Sequence, residues 1–391
     1  MLVPWGIQVD RNFVVHLREL IRCGVKLAGC SIAPEMLRKI DNVFRTKLFQ
    51  RLAPLMIPQL VKVRLFEALS AGYNAIVVHH EVFDAVYTGY VVGKTINVPK
   101  IVFLQLPPFY GFKKRFENIL RSSIMWRRLV ATSTISESLY SVEAIARYRV
   151  LHELNKRRVE DLLRRYDVVV AISKSIPYEM GGEWVDRVVS MDPGVSLDED
   201  DINLIKAVRS RVREKENYIV FGGRPTADKG LAEALILTSF VAKRFSGLKL
   251  VVTGRVSSVL LYRLRRACRR LGVENNVVFT GFLPREKRFE VVAKARLMLY
   301  PSHIDAFPYA VLESLYLGTP VVGYRIPALE IYYGRNPGVK LVEEGDVEAL
   351  TVEVLNVLEK GVDGVEPPKI RSWREIMDEE ISIIKRAISI S

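Results

Sequence analysis

Cysteine is scarce in this sequence, since only Cys23, Cys30 and Cys268 occur among 391 residues. Their odd number, their wide spacing and the lack of a CxxC arrangement indicate neither a disulfide framework nor a zinc site. Buried free thiols are the expected state of such residues. The sequence therefore gives no sign of a fold held together by cysteine chemistry.

Glutamine is also scarce, and long apolar runs are absent. The four glutamines stand beside many arginines, valines and isoleucines, a bias reported for heat-adapted proteins, which suggests a thermophilic source. No uninterrupted apolar run approaches the ~18 residues of a membrane span, and the N-terminus does not resemble a cleavable signal. We therefore expect a soluble or peripheral cytoplasmic protein.

The length and the charge distribution limit the organisation and the partners of the chain. At 391 residues the chain suits two domains of about 150 to 200 residues each. The net charge is +14, and residues 1–150 hold 21 lysines and arginines against 10 acidic residues. Such a concentration fits an anionic membrane surface, a polyphosphate-linked acceptor or nucleic acid.

The most informative stretch, residues 296–324, reads RLMLYPSHIDAFPYAVLESLYLGTPVVGY. It predicts a buried strand, a polar turn, a helix with Pro308 in its first position and Gly318 just past its end, and a second strand. The start of that helix would face the crevice where open α/β sheets bind ligands, so an anionic ligand is expected. Asp305 on the turn and Glu313 in the helix would flank it. Alternatively, Asp305 merely caps the helix and Glu313 is an ordinary polar residue.

A second stretch combines a strand with a glycine-containing loop. Residues 218–221 predict the strand, and GGRPTADKG at 222–230 forms the loop that opens a helix from Leu231. Arg224 as a planar fork and Lys229 as a point charge can converge on one diphosphate. The alternative is that both are solvated loop cations.

In this order, the two stretches resemble the retaining glycosyltransferases of family 4, which have the two-domain GT-B fold. The family's G-R-x4-K-G loop matches residues 223–230, and its E-x7-E element matches Asp305 and Glu313. The resemblance implies that Arg224 and Lys229 hold the diphosphate of a nucleoside-diphosphate sugar, that Glu313 binds the ribose and that Asp305 lies beside the transferred sugar. It also implies that no metal or other cofactor is required.

The sequence departs from the family pattern in both halves. Asp305 is shorter than the family's glutamate, and Ala306 replaces a common glycine, so either change could alter the choice of sugar. Gly6 can stand for one glycine of the family's first turn, but Ile7 occupies the second position, and the first strand is short or missing. Gln105 lies where many members carry a histidine; it can hydrogen-bond but cannot titrate.

Further candidate contacts lie at predicted strand ends and beside the two motifs. His79 and His80 end a buried strand and could contact sugar hydroxyls or serve in acid–base chemistry, or simply cap the strand. The remaining donor-binding candidates are Gly223, Gly230, Phe307, Pro308, Gly254, Phe282 and Leu283.

Two basic amphipathic regions are candidates for a membrane surface. Residues 36–64 and 111–129 place lysines and arginines among aromatic and aliphatic residues at helical spacing, which suits an anionic headgroup boundary. The alternative is a helix that faces a core and has a solvated cationic side. Nucleic acid is a less favoured partner because no RNA-binding motif is present.

The sequence thus predicts an α/β protein of two Rossmann-type domains, 1–213 on the acceptor side and 214–372 for the donor. A terminal helix over 373–391 would return to the first domain. The predicted function is retaining transfer of a sugar from a nucleoside-diphosphate sugar to a hydroxyl acceptor, with a lipid-linked or membrane-surface acceptor as a candidate. Two alternatives are an epimerase or phosphorylase on the same fold, and a non-catalytic binding or scaffold subunit.

Overall fold

The structure is a computed structural model that describes residues 74–131 and 133–389. Inter-residue contacts divide these residues into two compact units. The first unit holds residues 74–111, 153–196 and 371–389, and the second holds 112–131, 133–152 and 197–370. Residues 112–152 thus group with the second unit, whereas the sequence-based boundary at residue 213 assigned them to the first domain.

The elements up to residue 211 mix short strands with helices of very different length. In chain order they are β1 (Ile76–Val78), α1 (Phe83–Ile96), β2 (Lys100–Leu104), α2 (Lys113–Val130), α3 (Thr134–Leu163), β3 (Val168–Ala171), α4 (Ser175–Met180), α5 (Trp184–Arg187), β4 (Val189–Ser190) and α6 (Glu199–Arg211). The first unit's four strands form a parallel sheet in the order β1-β2-β3-β4.

After residue 211, strands and helices alternate regularly. The elements are β5 (Tyr218–Phe221), α7 (Leu231–Arg244), β6 (Lys249–Thr253), α8 (Ser258–Arg270), β7 (Val277–Gly281), α9 (Arg285–Lys294), β8 (Leu297–Tyr300), α10 (Tyr309–Tyr316), β9 (Val321–Tyr324), α11 (Pro327–Tyr333), β10 (Val339–Val342), α12 (Val347–Lys360) and α13 (Trp373–Ser389). The strand predicted at 218–221 is β5, and the two strands predicted within 296–324 are β8 and β9. The sequence located them because each is an almost wholly apolar run.

The terminal helix α13 belongs to the core of the first unit. Its residues Ile376, Met377 and Ile383 are buried in one cluster with Ile101 and Phe103 of the sheet. An amphipathic helix is stable when its apolar face is covered in this way. The return of α13 to the first unit agrees with the fold predicted from the sequence.

The second unit contains a six-stranded parallel sheet with the strand order β10-β9-β8-β5-β6-β7. The strand order therefore reverses between β5 and β8, which are paired neighbours with Val220 opposite Met298. In open parallel sheets, the loops that follow the two strands at such a point leave in opposite directions and open a crevice at their carboxyl ends. Both motifs singled out from the sequence follow these two strands.

Helix α2 is the basic amphipathic segment predicted over residues 111–129. Several of its residues, including Ile119, Leu120 and Arg115, are buried within the second unit. Nowhere in residues 74–131 and 133–389 does a helix combine the length and apolarity that crossing a membrane requires. Cys268 is a buried thiol, as expected, and burial raises its pKa to about 11.

Several sequence-based expectations concern residues 1–73, which lie outside the described part of the chain. They are the contact predicted for Gly6, the short or missing first strand, the basic region 36–64, and the thiols Cys23 and Cys30. These expectations stay predictions.

Candidate functional site

Two loops of the second unit meet at the carboxyl ends of β5 and β8. We call residues 222–230 the glycine loop and residues 301–308 the Asp305 loop. The backbone N–H of His303 donates to the carbonyl oxygen of Asp228 over 2.9 Å, and a Cβ atom on Gly230 would lie 2.0 Å from the carbonyl oxygen of Pro301. The two sequence motifs, about eighty residues apart in the chain, are therefore in direct contact.

The glycine loop has a backbone that few side chains could adopt. Gly223 has φ 134° and Gly230 has φ 74°, both in the region that favours glycine. Gly230 is the last residue before α7, so its conformation sets the direction in which the helix leaves the loop. The two glycines of the G-R-x4-K-G pattern thus have a conformational reason to be glycine.

A lysine and a carboxylate connect the two loops. Lys229 Nζ donates to Asp305 Oδ2 over 2.7 Å and to the carbonyl oxygen of Ile304 over 2.6 Å. The hydroxyl of Tyr300 also donates to Asp305 Oδ2, over 2.5 Å. Burial raises the pKa of the Tyr300 phenol well above its ordinary value, and the Asp305 carboxylate raises it further, so this tyrosine stays a donor. The Asp305 carboxylate is therefore neutralised by Lys229 and fixed by Tyr300.

Arg224 lies on the same loop but in a different environment. Its side chain is exposed, and it forms no ion pair within residues 74–131 and 133–389. The sequence predicted that Arg224 and Lys229 converge on one anion. The structure brings Lys229 to Asp305 and leaves the guanidinium of Arg224 open to solvent.

Glu313 has a partner that the sequence analysis missed. Arg288 of α9 binds both oxygens of this buried carboxylate, donating from Nη2 to Oε1 over 2.7 Å and from Nη1 to Oε2. Burial would lower the pKa of Arg288, but the hydrogen bond and the charge of Glu313 outweigh it and raise that pKa. Such bidentate pairing fixes the carboxylate plane. No local pattern marks Arg288, because its partner lies 25 residues away on another helix.

The other donor-binding candidates of this unit are placed as follows. Ala306 and Phe307 are buried, and the Phe307 ring packs edge-on to Tyr332 with 4.9 Å between centroids. Pro308 immediately precedes α10. Gly254 follows β6, and Phe282 and Leu283 follow β7. Phe282 is 65% exposed, and the Arg255 guanidinium lies 5.2 Å from its ring centroid. The exposed ring offers a stacking surface, whereas Phe307 is a core residue.

A buried charge cluster beside the Asp305 loop was also missed. The His303 ring lies between Glu233 and Glu344, with Nε2 2.8 Å from Glu233 Oε1 and Nδ1 2.8 Å from Glu344 Oε1. Arg115 of α2 pairs with the same Glu344 oxygen, and Asn118 donates to its other oxygen over 2.9 Å. We call Arg115, Glu233, His303 and Glu344 the histidine cluster. Its members lie far apart in the sequence, so no spacing could have indicated it.

The candidate contacts in the first unit are placed at the ends of β1 and β2. His79 is buried, stacks on Phe103 with 4.7 Å between ring centroids, and lies 3.6 Å from Glu380 of α13. His80 is partly exposed. The backbone N–H of Gln105 donates to the Glu81 carboxylate over 3.0 Å. His79 thus packs within its own unit, and the proposed sugar contacts of all three residues stay predictions.

Comparison with known proteins agrees with this arrangement. Residues 205–371 match the family model described as glycosyl transferases group 1. This segment contains the glycine loop, the Asp305 loop and the whole six-stranded sheet. Residues 205–371 are a group 1 glycosyltransferase domain. The recognition of a group 1 glycosyltransferase domain from residues 223–230 and 305–313 is thereby confirmed.

Curated relatives of the group 1 domain act on different molecules. The chain is 36% identical over 89 residues to 2-deoxystreptamine N-acetyl-D-glucosaminyltransferase of Streptomyces fradiae, covering 23% of this chain and 21% of that protein. It is 26% identical over 244 residues to 2-deoxystreptamine glucosyltransferase of Streptomyces kanamyceticus, covering 60% and 62%. It is also similar to D-inositol 3-phosphate glycosyltransferase of Segniliparus rotundus, at 28% identity, covering 37% and 32%. These matches span less than two thirds of each relative.

Solved structures share the architecture beyond the group 1 domain. Sucrose-phosphate synthase from Thermosynechococcus elongatus matches with a TM-score of 0.62 at 15% identity, covering 88% of this chain and 80% of that one. Anabaena HepE, solved in complex with UDP and glucose, matches with a TM-score of 0.56 at 14% identity, covering 95% and 89%. At such identities the likeness shows the fold alone, and it confirms the predicted GT-B fold.

The close approach of the two loops leads to a stability prediction. We expect Gly230→Ala to destabilise the group 1 domain by on the order of 3 kcal/mol or more, because the new Cβ meets a backbone oxygen as well as an unfavourable φ. Gly272→Ala is the matched control: its φ is 69° and nothing lies within 4 Å of the new Cβ, so we expect a loss of about 1–2 kcal/mol. Urea unfolding of both variants measures the difference. Equal losses would show that the loops do not constrain each other.

Proposed function

We propose that this chain is a retaining glycosyltransferase that moves a sugar from a nucleoside-diphosphate sugar to a hydroxyl acceptor. The observation that supports it best is the contact of the glycine loop with the Asp305 loop at the reversal of strand order, inside a group 1 domain. That point is where parallel sheets bind nucleotides. The two loops provide a lysine, an exposed arginine and a fixed carboxylate.

The departing diphosphate is the part of the donor that needs most stabilisation. In this proposal Arg224 and Lys229 neutralise the charge that grows on it as the bond from the anomeric carbon to the phosphate oxygen breaks. Electrostatic stabilisation of this kind is worth on the order of 3 kcal/mol per well-placed donor. Because two cations serve the leaving group, we propose that transfer requires no metal or other cofactor.

Two carboxylates complete the proposed donor site. A carboxylate has about four acceptor positions, and Arg288 occupies two on Glu313, which leaves the others for the hydroxyls of the ribose. Asp305 orients the donor-sugar hydroxyls or stabilises positive charge at the anomeric carbon. The acceptor oxygen bonds to that carbon on the face that the diphosphate leaves, and its proton passes to the departing phosphate.

Donor binding is the first test of this proposal. We expect one member of a panel of UDP-, GDP- and ADP-sugars to raise the melting temperature, because a ligand of the native state stabilises by about 2.7 kcal/mol at 100 times its Kd. Arg224→Ala and Glu313→Ala should abolish the shift. Arg374→Ala, which removes an exposed arginine of α13, should keep it. No shift with any donor would favour the non-catalytic scaffold.

The stereochemistry of transfer is a separate prediction. With the donor identified above and water as acceptor, we expect the first sugar released to keep the anomeric configuration of the donor, at a rate that EDTA does not change. Arg224→Ala should lower turnover by on the order of 100-fold. Proton NMR immediately after mixing shows the configuration. An inverted sugar or a trapped covalent intermediate would contradict the mechanism, and an epimerised donor or a sugar phosphate would indicate the two alternative enzymes.

We also propose that the acceptor is reached at the cytoplasmic face of an anionic membrane. Phe112 and Lys113 at the start of α2 are exposed, as is Arg121 in its middle, and Arg121 makes no ion pair within residues 74–131 and 133–389. Cations near such a surface contribute about 1 kcal/mol each. Residues 36–64 would contribute further cations.

Vesicle binding tests the membrane proposal. We expect the protein to sediment with vesicles of phosphatidylglycerol and phosphatidylcholine but not with phosphatidylcholine alone. The double variant Lys113→Glu, Arg121→Glu should bind the anionic vesicles on the order of 10-fold to 100-fold more weakly. Arg374→Glu reverses one exposed charge on α13 and should bind as the unaltered protein does. Equal binding by both variants would exclude α2 as the contact.

A further inference from the structure

His303 holds the Asp305 loop to four other parts of the second unit. Its ring contacts Glu233 on α7 and Glu344 in the loop between β10 and α12. Its backbone N–H donates to Asp228 of the glycine loop, and its carbonyl oxygen accepts from Arg115 Nη2 on α2 over 2.7 Å. Every polar group of this residue therefore has a partner outside its own loop, two positions before Asp305.

The two ring contacts have a chemical consequence. Both nitrogens lie 2.8 Å from a carboxylate oxygen, and a neutral imidazole can donate from only one of them. With both carboxylates ionised, the ring has to be an imidazolium that donates twice. Two carboxylates then balance one imidazolium and the Arg115 guanidinium. The second oxygen of Glu233 has no hydrogen-bond partner among the residues described. The cation that balances the negative charge of Glu233 is therefore His303.

We propose that His303, held as an imidazolium between Glu233 and Glu344, is a positioning residue that fixes Asp305 against Lys229 for sugar transfer. The role rests on the proposed function, since it assumes that Asp305 meets the donor sugar. His303 itself is 1% exposed, so its buried side chain cannot contact a substrate directly. It acts through the three-residue backbone from His303 to Asp305, whose Ile304 carbonyl oxygen also accepts from Lys229.

The charged surroundings of the ring support its protonation at neutral pH. The groups that face it are Glu233, Glu344, Arg115 behind Glu344, and the Tyr324 ring, whose centroid is 5.1 Å from that of His303. Burial alone would lower the pKa of His303, but the two carboxylates outweigh it and raise the pKa to about 9. Because this pKa lies above the ordinary value of 6.5, the stability that the protonated ring contributes is complete below pH 6.5 and is lost as pH rises from there through about 9.

The experiment combines a direct measurement of the ring with two variants. Proton–nitrogen NMR of histidine-labelled protein, assigned with His303→Gln, gives the protonation state of His303 at pH 7.5. Turnover and nucleotide affinity are then measured from pH 7 to 10 with the donor found by thermal shift. His303→Gln leaves Glu233 uncompensated and threatens folding, so His303→Gln, Glu233→Gln is included, because it removes both charges. Leu264→Ala, buried in α8, controls for general loss of stability.

The expected result is a doubly protonated ring at pH 7.5. In the unaltered protein kcat should fall near pH 9. The double variant should have a kcat at least 10-fold lower and a nucleotide affinity within about 2-fold of the unaltered protein, and its kcat should not fall near pH 9. Leu264→Ala should still show the fall of kcat near pH 9. A neutral ring at pH 7.5 would overturn the proposal, and so would unchanged kcat or a persistent fall near pH 9 in the double variant. If no donor binds the unaltered protein, the proposed function fails and the positioning role with it. The NMR spectrum would still show whether the cluster is charged, so the two failures are distinguishable.

Discussion

The ion pair between Lys229 and Asp305 is the interaction on which the arrangement of the candidate site depends. It joins the glycine loop to the Asp305 loop, and its side chains are only 12% and 15% exposed. Removing either partner would leave an uncompensated charge in a poorly hydrated place. A bound diphosphate would share a lysine that already has a carboxylate partner. In the proposed function, donor binding therefore needs a second cation, and Arg224 on the same loop is exposed.

The same rule governs the other buried carboxylates of the group 1 domain. Glu313 is paired by Arg288, and Glu233 and Glu344 share His303. Burying a charge is expensive unless a partner of opposite sign accompanies it, so each carboxylate in the site requires a cation brought from another element. The pairs thereby fix how helices and loops of one sheet edge are placed. Precise placement of the polar groups follows from the need to balance charge.

The sequence predicted the elements that depend on neighbouring residues alone, namely strands and the glycine loop. The apolar runs of β5 and β8 located two neighbouring strands, and the glycines at 223 and 230 indicated the loop, because their φ values exclude most other residues. The reversal of strand order between β5 and β8, which the structure shows, then brings the two motifs together. The partners of His303 and Glu313 were not predictable, since they come from positions 115, 233, 344 and 288. Only the folded chain brings those positions together.

Helix α2 shows why an amphipathic pattern alone does not define a partner. Its periodicity predicts that one face of the helix is buried, and in the second unit that face packs against protein. Ile119 and Leu120 are buried, and the Ser122 hydroxyl donates to the carbonyl oxygen of Ala227 in the glycine loop. Arg115, one of its cations, is also buried, in the histidine cluster. A basic residue counted from sequence as surface charge is thus part of the core. What remains for a membrane is the exposed part of the helix, which is smaller than its composition suggests.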